Sequence, residues 1–176
     1  MGTEREPILR QPYHETVTTE TYHEAMSRLG AAVSIVTTDG PAGRCGLTVS
    51  SVTSVSDHPP IVLTCINQNA RTCEILTRNS VFAVNVLGAG SETLSNAFAG
   101  RHGYAIEERF AQGEWCDHIE GTGAPVLHGS RVTLDCKVVD RIDSGTHRVF
   151  FGQVIALHFG GETPALLYLD RGYRAL

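Results

Sequence analysis

Two long strand-like runs joined by a three-residue turn constrain this chain more than any other feature. SRVTLDCKVVDRID (130–143) alternates, with Val132, Leu134, Cys136 and Val138 set against Arg131, Thr133, Asp135 and Lys137. A period of two sends one set to a buried face and the other to a wet face. SGT (144–146) turns the chain, and HRVFFGQVIALHF (147–159) reads as a second long strand, apolar on both sides. So short a connection makes the two strands antiparallel neighbours, because a parallel crossover needs a dozen residues or more.

The remaining elements fit the same kind of sheet. AAVSIVTTD (31–39) is β-branched, and GPAGR (40–44) is a turn. CGLTVSSVTSVS (45–56) is a strand with a kink, broken by Pro59 and Pro60. IVLTCI (61–66) is short and apolar enough for a strand buried on both faces, and VFAVNVL (81–87) and ALLYL (165–169) are further strands. Thr21 and Glu24 have capping-box spacing ahead of a short helix that ends at Gly30, with Tyr22, Ala25, Met26 and Leu29 on one side. Asn69 is placed to cap a helix over 70–79, with Ile75 and Leu76 inward, and Ser91 to cap one that Gly100 closes. Residues 101–129 read as irregular. About seven strands, three short helices and no strand–helix–strand alternation point to an antiparallel barrel.

Residues 1–18 are polar and aperiodic and read as a flexible tail, leaving 19–176 as one domain large enough for a real core. The net charge of −5 gives no basic footprint for nucleic acid, and no apolar run is long enough to span a bilayer. No charged n-region followed by an apolar h-region opens the sequence, so a signal peptide is not expected. Five cysteines without a CxxC pair read as free thiols of a cytoplasmic protein. The eight histidines lack ligand spacing, so no metal is expected, and the absence of GxSxG argues against a serine hydrolase. Gly88–Gly90 follows a strand and opens a helix, but Thr93 stands where a dinucleotide fingerprint needs its third glycine.

Residues 45–72 carry the chemistry. Gly46, Thr48, Ser50 and Ser51 offer a wall of small side chains and hydroxyls of the sort a flat ring needs. Arg71 and Thr72 then fall in the first turn of a helix, where free N–H groups and the dipole favour a phosphate. An ordinary Ser/Thr-rich strand followed by a helix would look similar. His147 opens the long strand, where it could guide a nicotinamide or be a surface histidine. Tyr168 and Tyr173 could cover a ring or close the core.

Ordered blocks decide between these readings. MSRLGAAVSIVTTDG, GLTVSSVTSVSDHPPIVLTCIN and the Asn/Arg/Thr helix start are followed by FAVNVL, AFAG, GAPVL, LDCKV, HRVFFGQV and RGYR. With these, the chain from about Tyr22 to Tyr173 resembles the short-chain flavin reductase family, the reductase partners of two-component flavin-dependent monooxygenases. The resemblance implies a Greek-key split β-barrel and a homodimer with flavin near the subunit interface. It implies FMN or FAD as cofactor, NADH or NADPH as co-substrate, and a separate monooxygenase that receives reduced flavin. It places Arg44, Cys45, Gly46, Leu47, Thr48, Ser50, Ser51, Cys65, Ile66 and Asn67 around the flavin, with Arg71 and Thr72 on its phosphate and Phe98 nearby. His147 would be the catalytic residue, facing the nicotinamide with Arg171, Gly172, Tyr173 and Arg174. The family often has an acidic residue before that histidine. Here it is Thr146, which favours a positioning role for His147 over a proton-donating one. Alternatives are a non-catalytic flavin- or haem-binding module, and an oxidase of a pyridoxine-type phosphate, which would need more basic ligands than Arg71.

Overall fold

The structure is a computed structural model that describes residues 16–116 and 121–176. The reading of residues 1–15 as a tail lies outside the described residues. The first helix, α1 (Thr19–Ser27), begins three residues before the expected cap: Thr18 is the N-cap, and its side chain and that of Thr21 form the reciprocal pair. Serine and threonine satisfy free N–H groups equally well at either position, so spacing alone could not place the start.

A seven-stranded, wholly antiparallel sheet dominates. Its strands are β2 (Ser34–Thr38), β3 (Cys45–Val49), β4 (Val52–Asp57), β5 (Pro60–Asn67), β6 (Val81–Val86), β9 (Val132–Ser144) and β10 (His147–Phe159). They lie in the order β3-β2-β6-β9-β10-β5-β4. The outermost strands, β3 and β4, are consecutive in the chain, divided only by the Ser50–Ser51 kink, so the sheet curls into a barrel. Ser51 fastens the seam: its hydroxyl donates to the carbonyl of Cys65 at 3.0 Å and accepts from the Cys65 N–H at 3.2 Å. This is the split barrel that the sequence implied. The wholly antiparallel order also removes the parallel unit that a dinucleotide fingerprint at Gly88–Gly90 would require.

Val36, Val49, Val62, Ile66, Phe82, Val84, Cys136 and Phe150 fill the barrel, with Leu76 of α2 (Arg71–Asn79). Gly152 belongs to this packing, because a Cβ there would overlap the Phe82 ring. The expected strand at 31–39 is broken at Val33. Its first piece, β1 (Ala31–Ala32), leaves the barrel to pair with β11 (Leu166–Leu169), which pairs in turn with β12 (Gly172–Ala175). A second core lies under this small sheet. It joins Ile35, Leu87, Phe98 and Phe110 and draws on α3 (Glu92–Phe98) and α4 (Ile106–Phe110). Both faces of β2 are therefore covered.

Three expectations are corrected. β5 is not buried on both faces: Val62, Thr64 and Ile66 are buried while Ile61, Leu63 and Cys65 are half-covered. The Thr133–Asp135 face of β9 is not wet. Thr133 bonds Asn85 Oδ1 at 2.9 Å, and Asp135 takes the Thr122 N–H and hydroxyl, so a loop covers them. Residues 101–129 are not wholly irregular, since they hold α4 and the two-residue pair β7 (Trp115–Cys116) and β8 (Val126–Leu127). β10 is apolar on both sides as expected, but only one side is covered. Its far end leaves Ile155, Leu157 and Phe159 at 41%, 51% and 80% exposure, while Val139 and Ile142 of β9 are half-exposed nearer the turn that joins the two strands.

Candidate flavin site

Two neighbouring cavities share the wall formed by Thr48 and Ala99. The first, of ≈ 500 Å³, opens between β3, the start of α2, the end of α3 and the segment leading into α4. Cys45, Leu47, Thr48, Arg71, Thr72 and Phe98 line it, so six of the expected flavin residues meet in one place. Gly46 lies behind the wall. A Cβ on it would stand 2.9 Å from Phe98 Cε1 and 3.1 Å from the carbonyl of Val36, so only glycine lets the Phe98 ring pack this closely. Thr48 Oγ1 donates to the Ser95 carbonyl at 2.6 Å, and Thr72 Oγ1 lies 3.0 Å from Cys45 Sγ.

The start of α2 is open. Ala70 rather than Asn69 is the N-cap, and no side chain caps the helix; Asn69 instead donates its N–H to Asn67 Oδ1 at 2.9 Å. Of the first-turn N–H groups, that of Cys73 bonds the Ala70 carbonyl at 2.8 Å, and those of Arg71 and Thr72 have no partner among the described residues. Arg71, exposed at the cavity rim, has no ion pair among the described residues.

The other expected residues lie apart. Ser50 lines the second cavity, and Ser51 is committed to Cys65. The Ile66 side chain is fully buried in the barrel, and Cys65 is half-covered, with burial pushing its thiol pKa up. Arg44 donates from Nε to Asp39 Oδ2 at 3.1 Å and lies 5.2 Å from the centre of the Phe110 ring. His147 does open β10, directly across the ladder from Asn67. It is exposed, with Nδ1 2.8 Å from Thr146 Oγ1, and lines neither cavity of this chain. Arg171 pairs with Glu24 of α1 at 3.1 Å, and Arg174 donates to the Tyr173 carbonyl at 2.8 Å. Tyr173 lines the second cavity, and Gly172 starts its strand.

The outer wall of the first cavity went unread in the sequence. It is made by Tyr104, Ala105, Ile106, Glu107 and Arg109 around α4. The signal was present: Ile106 and Phe110 are four apart, with Glu107 and Glu108 early and Arg109 late, the charge order of a short helix.

Comparisons with known proteins agree with this architecture. Residues 26–176 match the model of the flavin reductase like domain. FMN reductase (NADH) RutF of Ancylobacter novellus is 48% identical over 160 residues, covering 91% of this chain and 86% of that protein. NADH:FAD oxidoreductase SgcE6 of Streptomyces globisporus, solved with NAD and FAD fragments, superposes with a TM-score of 0.82 at 29% identity. That match covers 93% of this chain and 97% of the other. BorF, the flavin reductase component of a bacterial two-component tryptophan halogenase, gives 0.83 at 26% identity over 90% and 98%. The chain belongs to the flavin reductase-like family.

Proposed function

We propose that this protein is an NADH-dependent FMN reductase that supplies reduced flavin to a separate flavin-dependent oxygenase. The observation that carries the reading is the meeting of an uncapped helix start, an unpaired Arg71 and a small-residue wall in one cavity. A volume of ≈ 500 Å³ lies in the range of roughly 300–1,000 Å³ typical of small-molecule sites. These residues fit a flavin mononucleotide: the α2 N–H groups and Arg71 suit the phosphate, while Cys45, Leu47 and Thr48 suit a flat ring.

The family and the printed names of the relatives support FMN and NADH as the substrates. When bound, the flavin supplies a ring that accepts a hydride from dihydronicotinamide. The chain's own part is placement: β3 sets the ring's inner wall, α2 fixes the phosphate end, and Tyr104 and Ile106 shield the cavity from water. No acid–base pair is needed, and His147 serves as a positioning group for the second substrate. Two further elements belong to the proposal. The exposed apolar end of β10, at Ile155, Leu157 and Phe159, is a contact of a homodimer, since exposed apolar surface marks association. The five free thiols suit the cytoplasm.

Steady-state NADH oxidation with FMN, FAD and riboflavin added in turn tests the reading. A protein that binds flavin yet oxidises neither NADH nor NADPH would be a non-catalytic flavin-binding module instead.

A further inference from the structure

The second cavity, of ≈ 160 Å³, adjoins the one proposed for the flavin mononucleotide. It lies on the far side of the Thr48–Ala99 wall and is lined by Ser50, Arg101, Tyr168 and Tyr173. The two tyrosine rings meet edge to face with centroids 5.4 Å apart. Arg101 follows Gly100, whose φ of 76° turns the chain out of α3. Its guanidinium is exposed and donates one long bond, 3.4 Å from Nη2 to the Tyr168 hydroxyl. Among the described residues no carboxylate pairs with it. A guanidinium has five N–H donors, so most of its capacity is unused.

The cations expected from sequence to meet the nicotinamide line neither cavity: Arg171 pairs with Glu24, and Arg174 donates to the Tyr173 carbonyl. Arg101, which the sequence reading passed over, lies in the cavity that adjoins the proposed flavin site. Both joined cavities thus present arginines without a carboxylate partner among the described residues, Arg71 and Arg109 in the first and Arg101 in the second. In a chain of net charge −5, that arrangement suits two anionic ligands held side by side.

We infer that Arg101 binds the pyrophosphate of the nicotinamide dinucleotide, an inference that rests on the reductase reading. Tyr168 holds the guanidinium at the cavity mouth until the dinucleotide enters. From there the pyridine end extends along the Thr48–Ala99 edge that the two cavities have in common.

Calorimetric titration of NADH and, separately, of FMN into wild type, Arg101→Ala and Arg101→Lys tests this without requiring turnover. The expected result is an NADH affinity about tenfold weaker in Arg101→Ala, the loss of one charge-assisted hydrogen bond, with FMN affinity within about twofold of wild type. Arg101→Lys should recover part of the loss, and added salt should weaken NADH binding in wild type more than in Arg101→Ala. In turnover with 1-benzyl-1,4-dihydronicotinamide, which carries no phosphate, Arg101→Ala should match wild type. Unchanged NADH affinity, an equal loss for FMN, or an equal loss with the phosphate-free donor would each overturn the assignment. Wild-type protein that binds NADH with the expected Arg101 dependence but never reduces flavin would count against the reductase reading alone.

Discussion

Thr48 Oγ1 donates a 2.6 Å hydrogen bond to the carbonyl of Ser95, fastening the strand that walls the proposed flavin cavity to the helix that carries Phe98. Tyr173 reaches the same helix from the C-terminal hairpin. Its hydroxyl lies 2.9 Å from Ser95 Oγ and donates to Asn96 Oδ1 at 2.9 Å. Strand, helix and hairpin thus share one polar junction at the wall between the two cavities. Thr48→Val keeps the shape and removes the donor. It should lower stability by about 1 kcal/mol, a fall of roughly 2–4 °C in Tm, and weaken FMN as well. Thermal unfolding together with an FMN titration checks both; an unchanged FMN affinity would remove Thr48 from the cavity's function.

Arg71 should distinguish flavins by their phosphate. Arg71→Ala is expected to weaken FMN about tenfold while leaving riboflavin nearly unaffected, because only FMN carries the charge. Comparing KM for the two flavins reads this directly, and equal losses would reject the phosphate role.

Gly46→Ala should damage the site through packing alone. The new methyl group would meet Phe98 at 2.9 Å and the Val36 carbonyl at 3.1 Å, and the second of these is backbone in the barrel's most covered strand. A loss of about 1–3 kcal/mol is expected in denaturant unfolding, the usual cost of overpacking. Unaltered stability would show that α3 can move away freely.

Cys136 makes alkaline stability testable. Burial first, and then the charge of Asp135, pushes its thiol from 9.0 up to about 12. The folded protein keeps a proton that the unfolded chain releases, so this contribution is complete below about pH 9 and drains as pH rises toward 12. Denaturant unfolding of wild type and Cys136→Ala at a series of pH values should show a steeper alkaline decline in wild type, by up to about 1.4 kcal/mol per pH unit. Parallel slopes would mean that the thiol ionises without opening the barrel.

Phe159, 80% exposed at the end of β10, should lie in the contact between two copies. Phe159→Glu is expected to shift sedimentation from dimer to monomer without lowering the helix and strand content. A wild-type protein already monomeric at micromolar concentration would contradict the proposed dimer.

The barrel was legible because its strands signal themselves locally. Period-two apolar residues in 130–143, a three-residue turn and a β-branched run at 81–87 each specify a strand without reference to the rest of the chain. What the sequence hid depends on distant neighbours. The break at Val33 comes from β11, more than 130 residues later, drawing Ala31 and Ala32 into a separate sheet. Thr133 and Asp135 look solvent-facing until Asn85 and Thr122 supply their partners. The site divided in the same way. The resemblance singled out residues 45–48 and 71–72 on a strand and a helix start with local signatures, and Cys45, Leu47, Thr48, Arg71 and Thr72 meet in one cavity. Arg101 and the α4 wall were not singled out, because their place beside the cavity comes from tertiary packing of a stretch without strong periodicity.

The most direct measurement is anaerobic mixing of NADH with excess FMN and a trace of the protein, following the loss of flavin absorbance. The expected result is multiple-turnover bleaching whose rate rises and then saturates with both FMN and NADH. No acceleration over the protein-free reaction, with NADH or NADPH and with any of FMN, FAD or riboflavin, would contradict the flavin reductase assignment.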